Sequence, residues 1–348
     1  MEKAMEEKKC PGCENNNSPN CDTNSFECQN CLKKPEQIPL GIIEAQQFDK
    51  ETIEYIFRVA DKMEKSPPKN LLTGKIMATL FYEPSTRTRL SFEMAMLKLG
   101  GKVITTENAH EFSSAAKGET LPDTIRTING YRPDVIVLRH FQEGSSKIAQ
   151  EFSKVPIINA GDGPGQHPTQ AFLDLYTMEK QFGEIKGLKI ALIGDLINGR
   201  TVRSDCYLLA KHYPDNFIYL VSLEETRMKD DIKNHLNDYH LKWEEIGELE
   251  SILDEADIFY QTRIQKERFK DNINLYEKIQ KESERLIINA DSLKKMKKEA
   301  CIMHPLPRGP EISEEVDKDK RAIYFKQAEN GLYIRMALLK LLLIDRQQ

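Results

Sequence analysis

The stretch KIMATLFYEPSTRTRLSFEMAMLKLGGKVITTE, residues 75–107, decides the fold. It opens on an apolar, strand-like run (KIMATLFY) and passes through a turn dense in hydroxyls and arginines (EPSTRTR). A helical pattern follows (LSFEMAMLKLG), and the chain then returns to a β-branched run (GKVITTE). Strand, helix and strand with short joints describe parallel strands connected by a crossover helix. At such a strand-to-helix turn the first backbone N–H groups of the helix have no partner, and the helix dipole presents its positive end. Ser85, Thr86 and Thr88 add hydroxyl donors, and Arg87 adds a planar fork that matches phosphate oxygens. A capped helix with solvated arginines is the plainer reading, but the density of donors favours an anion cradle built without P-loop glycines.

The same alternation continues outward. LPDTIRTINGY (121–131) reads as a helix, DVIVLRH (134–140) as a strand, and VPIINAGDG (155–163) as a strand running into a Gly-rich loop. HPTQAFLDLYTMEKQFG (167–183) reads as a helix with an early Pro and a terminal Gly183. The pattern then restarts. Strands are expected at LKIALIGDL (188–196), FIYLVS (217–222), DIFYQTRIQ (257–265) and ACIMHPLP (300–307). Helices are expected at RTVRSDCYLLAKHYP (200–214), LESILDEA (249–256) and NGLYIRMALLKLLLI (330–344). The fold class is therefore α/β, with two doubly wound parallel-sheet domains joined by interdomain helices. The expected units are an appended segment over 1–38, a first domain over 39–170 completed by a C-terminal helix over 326–348, and a second domain over 183–325. In open sheets of this kind ligands bind beyond the carboxyl ends of the strands.

Bulk properties bound the function. The chain has 348 residues, 39% of them hydrophobic, and a net charge of −5. No basic surface argues for nucleic acid, and no run approaches the roughly 20 apolar residues of a membrane helix. The opening MEKAMEEKKC lacks the apolar segment of a secretory signal, so a cytoplasmic location is expected. Five of the seven cysteines fall at positions 10, 13, 21, 28 and 31. CPGC and CQNC place Cys10, Cys13, Cys28 and Cys31 in two C-x2-C pairs, and four thiolates at that spacing can close a structural zinc site. Cys21 is left over, and the intervening residues are polar, so a metal-free polar extension is the alternative.

Further polar clusters each follow a strand. VIVLRH ends in Arg139 and His140. In DGPGQHPTQAF (162–172), His167 precedes a helix-opening Pro and Gln170 lies one turn on, a pair suited to a carbonyl and its NH2 group. Helix capping by His167 reads equally well. GDLINGRTVRS (194–204) superficially resembles a dinucleotide loop but misses the G-x-G-x-x-G spacing, and Arg200 at its end could take a carboxylate. In QTRIQKER (261–268), strand alternation would place Arg263 and Gln265 on one side, although a solvated charged loop is the commoner fate of such runs. MHPLPRG (303–309) brackets Leu306 between prolines, so a cis Leu306–Pro307 bond could aim a backbone carbonyl inward. EFSSAAKGET (111–120) holds Ser113 and Lys117 and reads, by itself, as a solvated loop.

A phosphate cradle, a carbonyl-polarising group and carboxylate-grade arginines describe transfer of an acyl-like group from phosphate to an anionic amine. FYEPSTRTRLSFE, KGET, RH, GDGPGQHPTQAFLDLYT, GDLINGRTV, TRIQKER and HPLPRGPEI, in that order, resemble the catalytic chains of the aspartate carbamoyltransferases, within the aspartate/ornithine superfamily. The likeness spans about residues 40–345. It implies carbamoyl transfer from carbamoyl phosphate to L-aspartate in pyrimidine (UMP) biosynthesis, with no cofactor for catalysis. A carbamoyltransferase for another amine such as ornithine is the alternative.

It implies that Ser85, Thr86, Arg87, Thr88 and Arg139 meet the phosphate and that Thr88, Arg139 and His167 polarise the carbonyl. Gln170 and the Pro305 and Leu306 carbonyls would hold the carbamoyl NH2. Lys117, Arg200, Arg263 and Gln265 would hold aspartate, with Ser113 and Lys117 supplied by an adjacent subunit of a homotrimer. A regulatory chain or another pyrimidine-pathway enzyme would be a further partner. Ala116 and Ile197–Asn198 depart from residues common in the family, without removing a group expected to touch substrate.

Overall fold

The computed structural model describes residues 34–107, 118–265, 269 and 272–347. Cys10, Cys13, Cys28 and Cys31, and also Ser113 and Lys117, lie outside them, so the zinc site and the adjacent-subunit loop fall beyond the described structure. Among the described residues no helix is long and apolar enough to cross a membrane.

Two parallel sheets carry the fold. The first has β1 (Ile76–Phe81), β2 (Lys102–Glu107), β3 (Val135–His140) and β4 (Ile157–Asp162) in the order β2-β1-β3-β4. β1 is IMATLF, buried from its second residue on, and β4 is buried throughout. Strands covered on both faces need such near-continuous apolar runs. The second sheet has β5 (Lys189–Ile193), β6 (Phe217–Val221), β7 (Lys242–Ile246), β8 (Ile258–Gln261) and β9 (Cys301–Met303) in the order β7-β6-β5-β8-β9. From β1 the chain builds outward to β2 and then back to β3, and from β5 it does the same toward β6 and β8. Each sheet therefore has one switch point, where the loops on neighbouring strands part and leave a crevice.

The main helices are α1 (Lys50–Lys65), α2 (Thr86–Lys98), α3 (Leu121–Gly130), α4 (Ser145–Phe152), α5 (Pro168–Phe182), α6 (Arg200–His212), α7 (Asp230–Asp238), α8 (Ile273–Glu282), α9 (Ala290–Lys295) and α10 (Tyr324–Leu343). α5 begins with Pro168 and stops at Gly183, whose φ of +82° suits a residue without a Cβ. It is buried over its first eleven residues, packed against α10, α6 and β4. α10 packs against α1, α2 and α5. One continuous cluster of buried side chains reaches from Met77, Val135 and Ile158 of the first sheet to Leu192, Ile218 and Tyr260 of the second. The two halves thus share a core along the long helices.

Several elements differ from the sequence reading. β8 ends at Gln261 rather than running through Gln265. Thr262 N–H and Oγ1 both donate to the Ile193 carbonyl, at 2.8 and 2.7 Å, and Gln265 N–H turns to the Asp195 carboxylate at 3.2 Å. Arg263 and Gln265 are therefore loop residues. LESILDEA forms only a short 3-10 turn at Leu249–Ile252. The C-terminal helix starts at Tyr324 and ends at Leu343, ahead of the expected 326–348. α1, α4, α7, α8, α9 and β7 went unread. β7 is KWEEI, whose charged residues hide its place at a sheet edge.

A buried carboxylate on α6 carries the first prediction. Asp205 is fully buried, and neither of its oxygens has a hydrogen-bond partner among the described residues. Burial first, and the nearby Asp174 second, hold its carboxyl well above the ordinary range. Burial pushes Asp174 up as well, to about 7, but the three hydrogen bonds it receives hold it below Asp205, which has none, so Asp205 is the one of the pair that takes the proton first. A raised native pKa means that the unfolded chain releases its proton first as pH rises past about 4. Stability then falls by about 1.4 kcal/mol per pH unit from this group until the native group also ionises. Asp205→Asn removes that loss. Urea midpoints across a pH series should coincide for variant and parent at about pH 4 and separate in favour of the variant toward neutrality. Parallel curves would contradict the assignment.

Candidate active site

The turn after β1 builds the first wall. Register pairs Phe81 with Arg139 on β3, and Tyr82 N–H donates to the Arg139 carbonyl at 2.8 Å, so the EPSTRTR turn and Arg139 share one sheet edge. Ser85 is the N-cap of α2, yet its hydroxyl makes no capping bond and stays available. His167 is likewise the N-cap of α5 without a side-chain cap bond, which removes the capping reading of that residue. α6 starts at Arg200 behind Gly199. Three helix N-termini therefore face one space, where their dipoles favour an anion.

That space is a cavity of about 960 Å³ between the two sheets. Ser85, Thr86, Arg87, Thr88, Arg139, His167, Gln170, Arg200, Arg263, Gln265, Pro305 and Leu306 all line it. The structure thus brings together every expected site residue that it describes. His140 does not join them: its Nδ1 accepts from Gln142 N–H at 3.0 Å, and its ring stacks on Phe141.

Charge in the cavity is unbalanced toward the positive. Arg139 is pushed down by burial and by the like charges of Arg200 and Arg87, against the opposing pull of Glu83. A guanidinium nevertheless stays protonated. Glu83 Oε2 lies 3.5 Å from Arg139 Nε and 3.4 Å from Arg200 Nη1, so one carboxylate serves two cations from opposite walls. Arg200 Nη1 also donates to the Gly163 carbonyl at 3.0 Å. Its guanidinium fits because Gly161 has no side chain, since a Cβ there would sit 2.9 Å from Arg200 Cζ. Burial also depresses Arg87, which has no ion pair among the described residues.

His167 sits between the cationic walls, 4% exposed. Burial, then Arg200, Arg139 and Arg335, hold its ring well below the usual imidazole range, so it is neutral at physiological pH. Its Nε2 lies 3.5 Å from Thr88 Oγ1, and its backbone N–H donates to Ser204 Oγ at 2.9 Å. The ring can hydrogen-bond a carbonyl without bringing a further charge. Because its pKa is lowered, protonation occurs only far below about pH 6.5. The His167 carbon resonances, assigned by difference with His167→Ala, should therefore show no transition between about pH 5.5 and 8. A midpoint near 6.5 would contradict the stated burial.

Residues not read from the sequence complete the site. Asp195 Oδ1 accepts from Asn198 N–H and Nδ2, both at 3.1 Å, and Oδ2 takes Gln265 N–H, so one carboxylate ties together the two loops of the second sheet. The Leu306–Pro307 bond is cis. His304 Nδ1 accepts from Leu306 N–H at 2.7 Å, which leaves Nε2–H to donate to Glu311 at 2.9 Å. Glu83 and Asp195 had a weak local signal: each is an acid directly beside a turn of cations and hydroxyls.

A two-sheet α/β chain whose shared cleft gathers helix N-termini, arginines and a neutral histidine defines an enzyme of group transfer between anionic substrates. Residues 41–180 match the carbamoyl-phosphate-binding domain, and residues 186–342 the Asp/Orn-binding domain, of the aspartate/ornithine carbamoyltransferases. The chain belongs to that family. It is 57% identical to aspartate carbamoyltransferase 2, chloroplastic, of Pisum sativum, over 90% of this chain and 82% of the pea protein. It is 49% identical to the aspartate carbamoyltransferase catalytic subunit of Methanococcoides burtonii, over 87% and 97% of the two chains. Among solved structures, the catalytic subunit of M. jannaschii aspartate transcarbamoylase superposes with a TM-score of 0.80 at 48% identity, covering 89% of this chain and 99% of that one. Aspartate transcarbamoylase of Trypanosoma cruzi, in complex with N-(phosphonacetyl)-L-aspartic acid, gives 0.81 at 38% identity, covering 87% and 95%.

The expectation of a cytoplasmic location is corrected by these relatives. Those of 55–58% identity, from pea, Arabidopsis thaliana and rice, are chloroplastic proteins, which points to a plastid. The absence of an apolar N-terminal run argued only against secretion, because plastid targeting segments are not apolar.

Proposed function

We propose that this enzyme transfers the carbamoyl group of carbamoyl phosphate to the amine of L-aspartate, giving N-carbamoyl-L-aspartate and phosphate. The observation that carries the reading is the single cavity. It joins the donor-rich N-terminus of α2 to Arg200 and Arg263 of the second half, with the neutral His167 ring between them. Ser85, Thr86, Arg87 and Thr88 take the phosphate, and Arg139 bridges to the carbonyl oxygen. Thr88, Arg139 and His167 polarise that carbonyl. Gln170 and the Pro305 and Leu306 carbonyls accept from the NH2 group. Arg200, Arg263 and Gln265, with Lys117, hold the aspartate carboxylates.

The aspartate amine attacks the carbamoyl carbon. A C–N bond forms, the C–O bond to phosphate breaks, and the departing phosphate accepts a proton from the amine. Donors already aimed at the developing oxyanion supply the stabilisation without reorganising. The T. cruzi relative has been solved with carbamoyl phosphate, and also with that ligand together with aspartate, which agrees with this substrate pair.

Aspartate is favoured over ornithine because an ornithine ammonium would face Arg263 and Arg200. Incubated with carbamoyl phosphate, the protein should form carbamoyl-aspartate and leave ornithine unconverted. Citrulline formation exceeding carbamoyl-aspartate formation would overturn the reading.

A homotrimer with sites completed by Ser113 and Lys117 of a neighbour is part of the proposal. Leu90, Met94 and Leu97 on α2 and Ile104 on β2 are 46–54% exposed, an apolar stripe starting at the cavity rim that a second chain would cover. The proposal extends to a place in pyrimidine biosynthesis. It also keeps a partner regulatory chain or neighbouring pathway enzyme, and a four-thiolate zinc site at Cys10, Cys13, Cys28 and Cys31.

A further inference from the structure

Asp174 lies on α5 one turn beyond Gln170, fully buried, and no substrate could touch it. Its oxygens are nevertheless the anchor for much of the cavity wall. Oδ1 accepts from Gln170 Nε2 at 2.9 Å and from Gln327 Nε2 at 2.6 Å, and Oδ2 accepts from Tyr260 OH at 2.7 Å. Gln327, on α10, uses its other amide atom on the turn after β9, where Oε1 accepts from His304 N–H at 2.8 Å. His304 in turn receives Leu306 N–H through Nδ1. One carboxylate on a helix between the two halves therefore holds Gln170 directly and the Pro305–Leu306 turn through a single side chain.

The chemistry of Oδ1 fixes the direction of both amides. A carboxylate oxygen only accepts, so each glutamine must turn its NH2 group toward Asp174. With its NH2 group turned to Asp174, Gln170 has Oε1 as its acceptor for the cavity that it lines. With either amide reversed, two lone-pair-bearing oxygens would be pressed together in a buried place. Pro305 and Leu306 of the turn line the cavity beside Gln170, and the acceptors this wall can offer are Gln170 Oε1 and the two backbone carbonyls. Such a set binds an NH2 group and has nothing to offer a methyl group. Buried charge-assisted hydrogen bonds of this kind are the stronger ones and hold a geometry well.

We propose that Asp174 is the positioning residue that makes the cavity selective for a carbamoyl over an acetyl group, by aiming Gln170 Oε1 and the Pro305–Leu306 turn at the NH2. The inference rests on the carbamoyl phosphate reading above. A site that recognises a donor rejects the analogue lacking it far more strongly than an apolar pocket discriminates by shape.

The test compares carbamoyl phosphate with acetyl phosphate, its methyl counterpart, by calorimetry on the full chain. Asp174→Leu removes the acceptor without opening a hole. Its ratio of carbamoyl to acetyl phosphate affinity should fall by about tenfold or more through loss of carbamoyl phosphate binding alone. Gln327→Met, which loosens only the turn, should lower the ratio in the same direction by less, and it carries the test if Asp174→Leu does not fold. A parent-like ratio in the variant measured, or an equal loss for both ligands, would overturn the inference and leave Asp174 a structural residue. Gln170→Ala separates the two levels of the argument. If it lowers the ratio while Asp174→Leu does not, only the inference fails. If Gln170→Ala leaves the ratio unchanged, the assignment of Gln170 to the carbamoyl group fails and the inference with it.

Discussion

Arg87→Ala should lower kcat by about a hundred- to a thousandfold, the range for removing one donor to developing charge, while thermal stability stays within about 0.5 kcal/mol of the parent. Arg87 is exposed toward the cavity and has no ion pair among the described residues, so folding gains little from it. It stands in the first turn of α2, where its fork adds to the free backbone N–H groups and the helix dipole. The phosphate carries its largest charge as it leaves, so the loss falls on the transition state more than on the bound substrate. Turnover and chemical unfolding of the same preparation check this. An unchanged kcat would remove Arg87 from the phosphate site, and a collapsed fold would assign it to structure.

Arg263→Ala should raise the KM for aspartate by roughly 30- to 1000-fold, as expected when one partner of a charged hydrogen-bonded pair is truncated. Carbamoyl phosphate binding, measured by calorimetry without aspartate, should stay at the parent value. Arg263 is exposed on the loop that Asp195 pins through Gln265 N–H, on the opposite side of the cavity from α2. Its loss therefore reaches only the second substrate. Equal weakening of both substrates would mean that the loop shapes the whole cavity rather than the aspartate half.

What was legible in the sequence was legible for local reasons. EPSTRTR declares itself because one helix start contains all its donors, and HPTQ because Pro168 and a one-turn spacing fix His167 and Gln170 together. The strand runs at 76–81, 135–138 and 190–193 are apolar but for Thr79, because both faces are covered. Asp174 was hidden because its partners Tyr260 and Gln327 are 86 and 153 residues away, and no spacing announces them. Glu83 was passed over because its value lies in Arg139 and Arg200, which meet it only across the cleft. TRIQ was read as a strand by alternation, whereas the Thr262 hydrogen bonds to Ile193 end the pairing there.

The central claim is that one cavity holds the phosphate of the first substrate and the carboxylates of the second at the same time. A calorimetric titration of the full chain with N-(phosphonacetyl)-L-aspartate, which carries both groups in one molecule, tests it most directly. The account predicts one molecule per chain, competition with carbamoyl phosphate, and weakened binding in Arg87→Ala and Arg263→Ala alike. Binding that survives intact in either variant, or that leaves carbamoyl phosphate undisplaced, would contradict it.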